Sequence, residues 1–411
     1  MELRPYQKEI VTQGLQVLHS HRFLYLAMEV RTGKTLTSLK LAEYLYGNGD
    51  VLFITKKKAI SSIRSDYDLL NPDYNLYVIN YESIHKIPEE KWSVVICDEA
   101  HTMGAYPKPS KRAKQVKALL TKHNPYVILL SGTPTPESYS QMYHQVYGIP
   151  TNPFSQYKNF YRFCDDYVNV QMRPIGIMHI KDYSGGTQKI LESMRPYTIS
   201  YTQKEAGFKV ETTENILTVE MKEKTYYLIK KLKKDKVLRG NEEVVLGDTA
   251  VKLMSKIHQM FSGTVKFESG ASNVLDNSKA EFIKRKFKNK KIGIFYKFVA
   301  ELDALKNVFG KESLTTNLEE FNTTDKSIAL QIVSGREGIS LKKASALVYY
   351  NIDFSATSYW QSRDRMTTKN RLKNNVYWVF ARNGIEKQIY KAVTKKKDYT
   401  LNHFKRDFLA L

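Results

Sequence analysis

Four apolar residues run directly into two acids, an alanine and a histidine in Val94-Val95-Ile96-Cys97-Asp98-Glu99-Ala100-His101. A continuous apolar run of this kind suits a strand buried on both faces of a parallel sheet, which points to an α/β architecture. Ligands of open α/β sheets bind outside the carboxyl ends of the strands. One of the two carboxylates can hold Mg2+, directly or through water, while the other orients a water for attack on phosphorus. Alone, the stretch also fits a strand that ends in a solvated acidic turn. Two further stretches shift the balance.

Upstream, Phe23-Leu24-Tyr25-Leu26-Ala27 reads as a strand. It is followed by Met28-Glu29-Val30-Arg31-Thr32-Gly33-Lys34-Thr35 and a helical pattern from Leu36 to about Tyr46. Strand, loop, Gly-Lys-Thr and helix is the context of a phosphate-binding loop. There the backbone N–H groups and the helix N-terminus cradle phosphates. Lys34 is expected on the β- and γ-phosphates and the Thr35 hydroxyl on Mg2+. Arg31, Thr32 and Gly33 are the expected loop contacts. The loop departs from the usual pattern in having Met28 for its first glycine and few glycines elsewhere. Before it, Leu3-Arg4-Pro5-Tyr6-Gln7 opens a helix, and the Gln7 amide can read an adenine edge with a donor and an acceptor together. Downstream, Tyr126-Val127-Ile128-Leu129-Leu130 reads as a strand. Ser131-Gly132-Thr133-Pro134-Thr135-Pro136 then leaves as a turn and is expected to open a helix with Pro136 in its first turn. The Ser131 and Thr133 hydroxyls can link the acidic site to a second domain.

With 411 residues, two domains are the default at roughly 100–200 residues each. The 64 Lys+Arg against 42 Asp+Glu leave a formal charge of +22. That surplus points to a polyanion, most simply nucleic acid, although surplus lysine can also serve solubility alone. Lys56 and Lys57 follow the strand Val51–Ile54, where a basic loop can meet a nucleic-acid backbone. The two cysteines, Cys97 and Cys164, have no metal-ligand spacing and suit a reducing compartment. No apolar run approaches the ~20 residues a membrane span needs, and Met1-Glu2-Leu3-Arg4 is not read as a signal peptide. The aromatic pattern of Phe154, Tyr157, Phe160 and Phe163 reads as core. A junction is expected in the polar stretch Lys204–Glu214. Beyond it a second alternation of strand and helix begins at Ile216–Val219. It continues through Lys291–Tyr296, Ile328–Val333, Ala346–Asn351 and Val376–Phe380, with a helical, lysine-rich tail from Gly384. The expected fold is two tandem α/β lobes, residues 1–210 and 211–411, each a mostly parallel sheet flanked by helices with right-handed crossovers.

The set of stretches resembles the helicase-like translocases of superfamily two, and most of all their Swi/Snf-type branch in a small, phage-like form. The likeness spans nearly the whole chain. Leu3–Gln7 looks like the adenine-reading motif, Met28–Thr35 motif I, Asp98–His101 (a DEAH box) motif II and Ser131–Pro136 motif III. Gly293–Lys297 looks like motif IV, Gly335–Leu341 motif V and Gln361–Arg365 motif VI. Met194–Tyr197 and Asn383–Lys387 resemble landmarks of the branch. The resemblance implies two RecA-like lobes with ATP between them. Arg4, Gln7, Arg31, Thr32, Gly33, Lys34, Thr35 and Gly338 would bind the nucleotide, and Thr35 and Asp98 would ligate Mg2+. Lys34, Asp98, Glu99, Gln361 and Arg365 would be catalytic, with Arg365 as the finger on the γ-phosphate. His101, Ser131, Thr133, Lys56, Lys57 and Ser334 would serve nucleic-acid contact or coupling. Where the family has a further arginine three residues after Arg365, this chain has Thr368.

The expectation is an ATP-driven DNA helicase or translocase that uses ATP and Mg2+ in replication, recombination or repair. It would act on single-stranded or forked DNA, beside a replication or single-strand-binding protein, in the cytoplasm of a bacterial or phage-infected cell and away from membranes. An RNA-directed helicase, a duplex-DNA translocase that does not unwind, and a binding protein with an inactive ATPase are the alternatives.

Overall fold

The structure, a computed structural model, describes residues 2–175, 178–209, 211–240, 242–335, 340–355, 358–359, 362, 366 and 373–395. The chain divides into two compact units, Met1–Phe208 and Lys209–Leu411.

The first unit holds a six-stranded sheet of β1 (Phe23–Met28), β2 (Asp50–Thr55), β3 (Asn75–Asn80), β4 (Val94–Cys97), β5 (Tyr126–Leu130) and β8 (Thr198–Tyr201). Their spatial order is β3-β2-β4-β5-β1-β8, and every pairing is parallel. The apolar run singled out in the sequence is β4, near the middle of this sheet. Its residues alternate between two cores. Val94 and Ile96 join Leu24, Leu26 and the helices Pro5–His21 and Lys34–Leu45 on one face. Val95 and Cys97 join Tyr25 and the helices Lys111–His123 and Phe160–Tyr167 on the other. Each fully buried Val or Ile contributes about 1.5–3 kcal/mol. A one-residue slip would only exchange the two cores, so register rests on the polar residues at the strand ends. Phe154, Phe160 and Phe163 lie in the second core, as expected from their pattern.

Two features of this unit differ from the sequence reading. Pro136 does not sit in the first turn of a helix. The chain stays irregular to Ser138, whose side chain accepts from Ser140 N, and the helix Met142–Gln145 follows only after the short turn Tyr139–Gln141. The unit also carries an antiparallel hairpin, β6 (Gln171–Ile175) with β7 (Met178–Asp182), that no local pattern announced.

The second unit opens with β9 (Glu211–Val219). Two small hairpins follow, β10 (Val237–Arg239) with β11 (Val244–Leu246) and β12 (Thr264–Lys266) with β13 (Ser272–Val274). The main sheet adds β14 (Ile292–Tyr296), β15 (Leu314–Thr315), β16 (Ser327–Gln331), β17 (Ala346–Tyr349) and β18 (Lys373–Ala381), in the order β15-β16-β14-β17-β18-β9. All of its pairings are parallel. β9 begins five residues before the expected Ile216 because it pairs with β18 over its whole length, from Glu211↔Lys373 to Val219↔Ala381. Its Glu214 accepts hydrogen bonds from the Tyr359 hydroxyl, Trp378 Nε1 and the Tyr390 hydroxyl, which turns a polar junction residue into an anchor. Glu386 forms a fully buried ion pair with Lys279 at 2.6 Å. Gly384 permits it, since a Cβ there would lie 1.9 Å from Glu386 Oε2. This is a physical reason for the Asn383–Lys387 landmark.

Candidate nucleotide site and its coupling network

Because every strand of the first sheet is parallel, the loops after β1, β2, β4 and β5 emerge at one edge. Those loops carry Glu29–Gly33, Lys56–Lys57, Asp98–Glu99 and Ser131–Thr133. One sheet edge thus brings together stretches more than a hundred residues apart in sequence.

The loop after β1 ends at Gly33, which has φ 85 and precedes the helix Lys34–Leu45. The first N–H groups of a helix have no intrahelical acceptor and favour anions. Lys34 Nζ donates to the carbonyls of Met28 at 2.9 Å and Glu29 at 3.3 Å. Thr35, the next residue, is half-buried in the first turn, and Thr32 is fully buried. Arg31 has φ 67, so a non-glycine residue occupies left-handed backbone in this loop. Gln7 is buried under it. Its Oε1 accepts from Arg4 N at 2.9 Å, and its Nε2 donates to the Gly33 carbonyl at 3.3 Å. In this structure both ends of the Gln7 amide engage the chain's own backbone, tying Arg4 to the loop. A Cβ on Gly33 would lie 2.3 Å from Gln7 Nε2.

Asp98 leaves β4 with its carboxylate fixed at both oxygens. The Thr55 hydroxyl donates to Oδ2 at 2.8 Å and Glu99 N–H to Oδ1 at 2.9 Å. The Tyr81 hydroxyl donates to its carbonyl at 2.7 Å. Burial, then the neighbouring Glu99 charge, push the Asp98 carboxyl up to about 6, against the opposing charge of Lys34. A buried carboxylate beside a second one, with the Thr35 hydroxyl in the first turn of the helix Lys34–Leu45 at the same end of the sheet, is a hard oxygen set that suits Mg2+ in company with phosphate oxygens. The residues present therefore fit a magnesium nucleotide.

Glu99 has φ 51, and its Oε2 lies 3.3 Å from His101 Nδ1. The same nitrogen lies 2.9 Å from Ser131 Oγ, which also accepts from Thr133 N at 3.1 Å. The Tyr25 hydroxyl donates to Gln145 Oε1 at 2.7 Å, and Gln145 Nε2 donates to the Pro134 carbonyl at 2.7 Å. A continuous polar chain thus connects the acid after β4 to the turn after β5. Lys56 is half-buried and Lys57 exposed at the same edge. Gly338, Gln361 and Arg365 lie outside the described residues, as does the side chain of Ser334.

Sequence reasoning did not find Thr55, Tyr81, Tyr25, Gln145, Tyr6 or Gln203. The Tyr6 hydroxyl donates to the Thr32 carbonyl at 2.9 Å, and Gln203 Nε2 to the Val30 carbonyl at 2.8 Å. Thr55 alone had a local signal, as a buried polar residue ending an apolar strand. Among the described residues no helix is long and apolar enough to cross a membrane.

The family model of the SNF2-related domain matches residues 47–276, and that of the Type III restriction enzyme res subunit matches residues 1–66. A Caenorhabditis elegans homolog of SWI/SNF-related matrix-associated actin-dependent regulator of chromatin subfamily A-like protein 1 is 28% identical over 189 residues. That match covers 40% of this chain and 26% of the relative, so the chain spans about a quarter of that protein's length. Two solved structures align over 100% of this chain. The Sulfolobus solfataricus SWI2/SNF2 ATPase core in complex with dsDNA aligns over 93% of its own length, at 15% identity and a TM-score of 0.43. The SWI2/SNF2 ATPase core domain from the same organism aligns over 90% of its length, at 14% identity and a TM-score of 0.42. The SNF2-related match alone takes in more than half of the chain, and with two parallel α/β sheets and a loop-and-acid site on the first, the chain belongs to the SNF2-related family of superfamily-two ATPases.

Proposed function

We propose that this protein is a nucleic-acid-stimulated ATPase that translocates on DNA, with helicase activity as one outcome of that motion. The single observation that carries the reading is the Asp98–Glu99 pair set at the sheet edge shared with the Lys34 loop, where Lys34 acts electrostatically on Asp98. Lys34 would bind the β- and γ-phosphates, while Thr35 and Asp98 would hold Mg2+, which when bound neutralises charge developing on the phosphoryl group. Glu99 would accept a proton from the attacking water. His101, Ser131 and Thr133 would carry the state of Glu99 to the nucleic-acid side. Gln361 and Arg365 would complete the reaction from the second unit, Arg365 stabilising transition-state charge, with Gly338 at the nucleotide and Ser334 at the nucleic acid. The formal charge of +22 supports a polyanionic partner, and family membership supports DNA. A place in replication, recombination or repair in a phage-infected or bacterial cell, beside a single-strand-binding protein, completes the proposal.

ATP turnover compared side by side with single-stranded DNA, duplex DNA and RNA tests it. DNA is expected to stimulate and RNA not; the reverse would make the protein an RNA-directed enzyme. Stimulation by duplex without strand separation would make it a non-unwinding translocase. Glu99→Gln should retain nucleotide binding and lose turnover by roughly 10²–10⁴-fold. Arg365→Ala should lose kcat while leaving DNA binding within a few-fold.

A further inference from the structure

Between Met28 and Lys34 the loop has one glycine, Gly33, yet its backbone is left-handed at two residues, Gly33 with φ 85 and Arg31 with φ 67. A side chain in that region persists only where the surroundings over-determine it. The surroundings here are a compact turn at the end of the first unit. Glu29 N–H donates to the Tyr201 carbonyl at 2.9 Å, and Gln203 N–H donates to Glu29 Oε2 at 2.7 Å. Gln203 Nε2 donates to the Val30 carbonyl at 2.8 Å, directly before Arg31. From the other side Tyr6 stacks on Tyr201, with centroids 4.8 Å apart, and its hydroxyl donates to the Thr32 carbonyl. The turn is itself braced. Glu205 accepts from Thr202 N at 2.7 Å, Phe208 N donates to the Gln203 carbonyl at 3.0 Å, and Ala206 and Phe208 are buried.

We propose that Gln203 is a positioning residue for nucleotide binding, holding the glycine-poor loop in its anion-binding shape from the exit of the first unit. This rests on the reading of the Lys34 loop as a nucleotide site. The function of the missing glycines is supplied from outside the loop: the Gln203 side chain fixes the carbonyl before Arg31, and Glu29 anchors the Gln203 backbone. The first unit ends at Phe208 and β9 begins at Glu211. The same bonds therefore run in both directions. If the turn favours nucleotide binding, bound nucleotide must favour the turn by the same factor. Occupancy of the phosphate loop is then felt at the stretch that leads into the second unit.

The test uses the full chain, with a fluorescent adenine nucleotide as the probe. Gln203→Ala and the unbranched Gln203→Met both lose the donor. Each should weaken nucleotide affinity roughly 3–10-fold, the worth of one hydrogen bond. The kcat at saturating ATP and DNA should stay within about twofold, since the loss is of ground-state binding. Combined with Glu29→Ala, which loosens the same anchor, the weakening should fall short of the product of the single effects. Trypsin cleavage after the exposed Lys204 and Lys209 should be slowed by nucleotide in the wild type and not in Gln203→Ala. Wild-type affinity in both Gln203 variants would overturn the positioning role alone. A kcat loss with unchanged affinity would also overturn it. A wild-type protein without nucleotide affinity would overturn the parent reading and this one together.

Discussion

His101 Nδ1 lies 2.9 Å from Ser131 Oγ and 3.3 Å from Glu99 Oε2, so one ring nitrogen touches both the acid after β4 and the turn after β5. Ser131 is fully buried and also accepts from Thr133 N. Ser131→Ala leaves that N–H and the imidazole without this partner, at a stability cost of about 1–2 kcal/mol. Its larger effect should be on coupling, with DNA stimulation of turnover falling more than the basal rate. Basal and stimulated rates measured together decide it, and an unchanged ratio would remove His101 and Ser131 from the coupling path.

The Asp98 carboxyl gives a pH dependence of defined sign. Burial and Glu99 raise it from 3.8 to about 6 in the folded, metal-free protein. The folded Asp98–Glu99 pair therefore keeps a proton that the unfolded chain releases near pH 4. Its contribution to stability falls as pH rises between about 4 and 6, and is level above. Asp98→Asn removes the buried charge. In EDTA it should be more stable than the wild type above pH 6, by on the order of 1–3 kcal/mol, and equal to it near pH 4. Magnesium nucleotide should stabilise the wild type and not the variant. Urea midpoints across that range provide the check, and a gap that is constant with pH would contradict the assignment.

The Lys279–Glu386 pair has no exposure on either side chain. Lys279 Nζ also donates to the Tyr350 carbonyl at 3.2 Å, and Glu386 Oε1 accepts from Ala381 N at 3.3 Å. Lys279→Ala or Glu386→Ala alone leaves a buried charge without its counterion, and each should cost about 3–5 kcal/mol. Lys279→Met with Glu386→Leu should recover most of that loss. Chemical denaturation of the three variants tests the pair, and additive single effects would show that the two residues act independently.

Gly33→Ala combines a steric and a backbone fault. The new Cβ would meet Gln7 Nε2 at 2.3 Å, and φ 85 is left-handed. Nucleotide affinity should drop by more than tenfold while overall stability changes by only about 1–2 kcal/mol. Gln7→Ala in the same chain should restore part of the affinity by making room. Failure of that rescue would assign the whole defect to the backbone.

Lys34, Asp98 and Ser131 stand out in the sequence because each closely follows an apolar strand, and such strands are legible as contiguous runs. Tyr126–Leu130 matches its strand residue for residue for that reason. Tyr25 and Gln145 do not stand out. They meet across 120 positions, and each looks like ordinary core or surface in its own neighbourhood. Gln203 lies in a polar stretch that reads as a junction, and only its approach to Val30 gives it meaning. The two small hairpins of the second unit leave no mark in the sequence because strands of three residues, such as Val237–Arg239, carry no measurable alternation. Glu214 shows the limit most clearly. A glutamate in a polar run argues for a loop, yet its backbone pairs with Val376 of β18, and the aromatic donors of Tyr359, Trp378 and Tyr390 satisfy its carboxylate there.

The pairing of β1 has a consequence for how the chain is made. Its partners are Val127 on one side and Thr198 on the other, while β9 waits for β18, with Glu211 opposite Lys373. A strand that leaves the ribosome early must therefore remain unsatisfied through more than a hundred residues of synthesis before its neighbours exist. Non-local parallel pairings of this kind form slowly and leave unpaired edges exposed in the meantime. The nascent first unit thus depends on its flanking helices, Pro5–His21 and Lys34–Leu45, to shelter β1 until translation reaches residue 201.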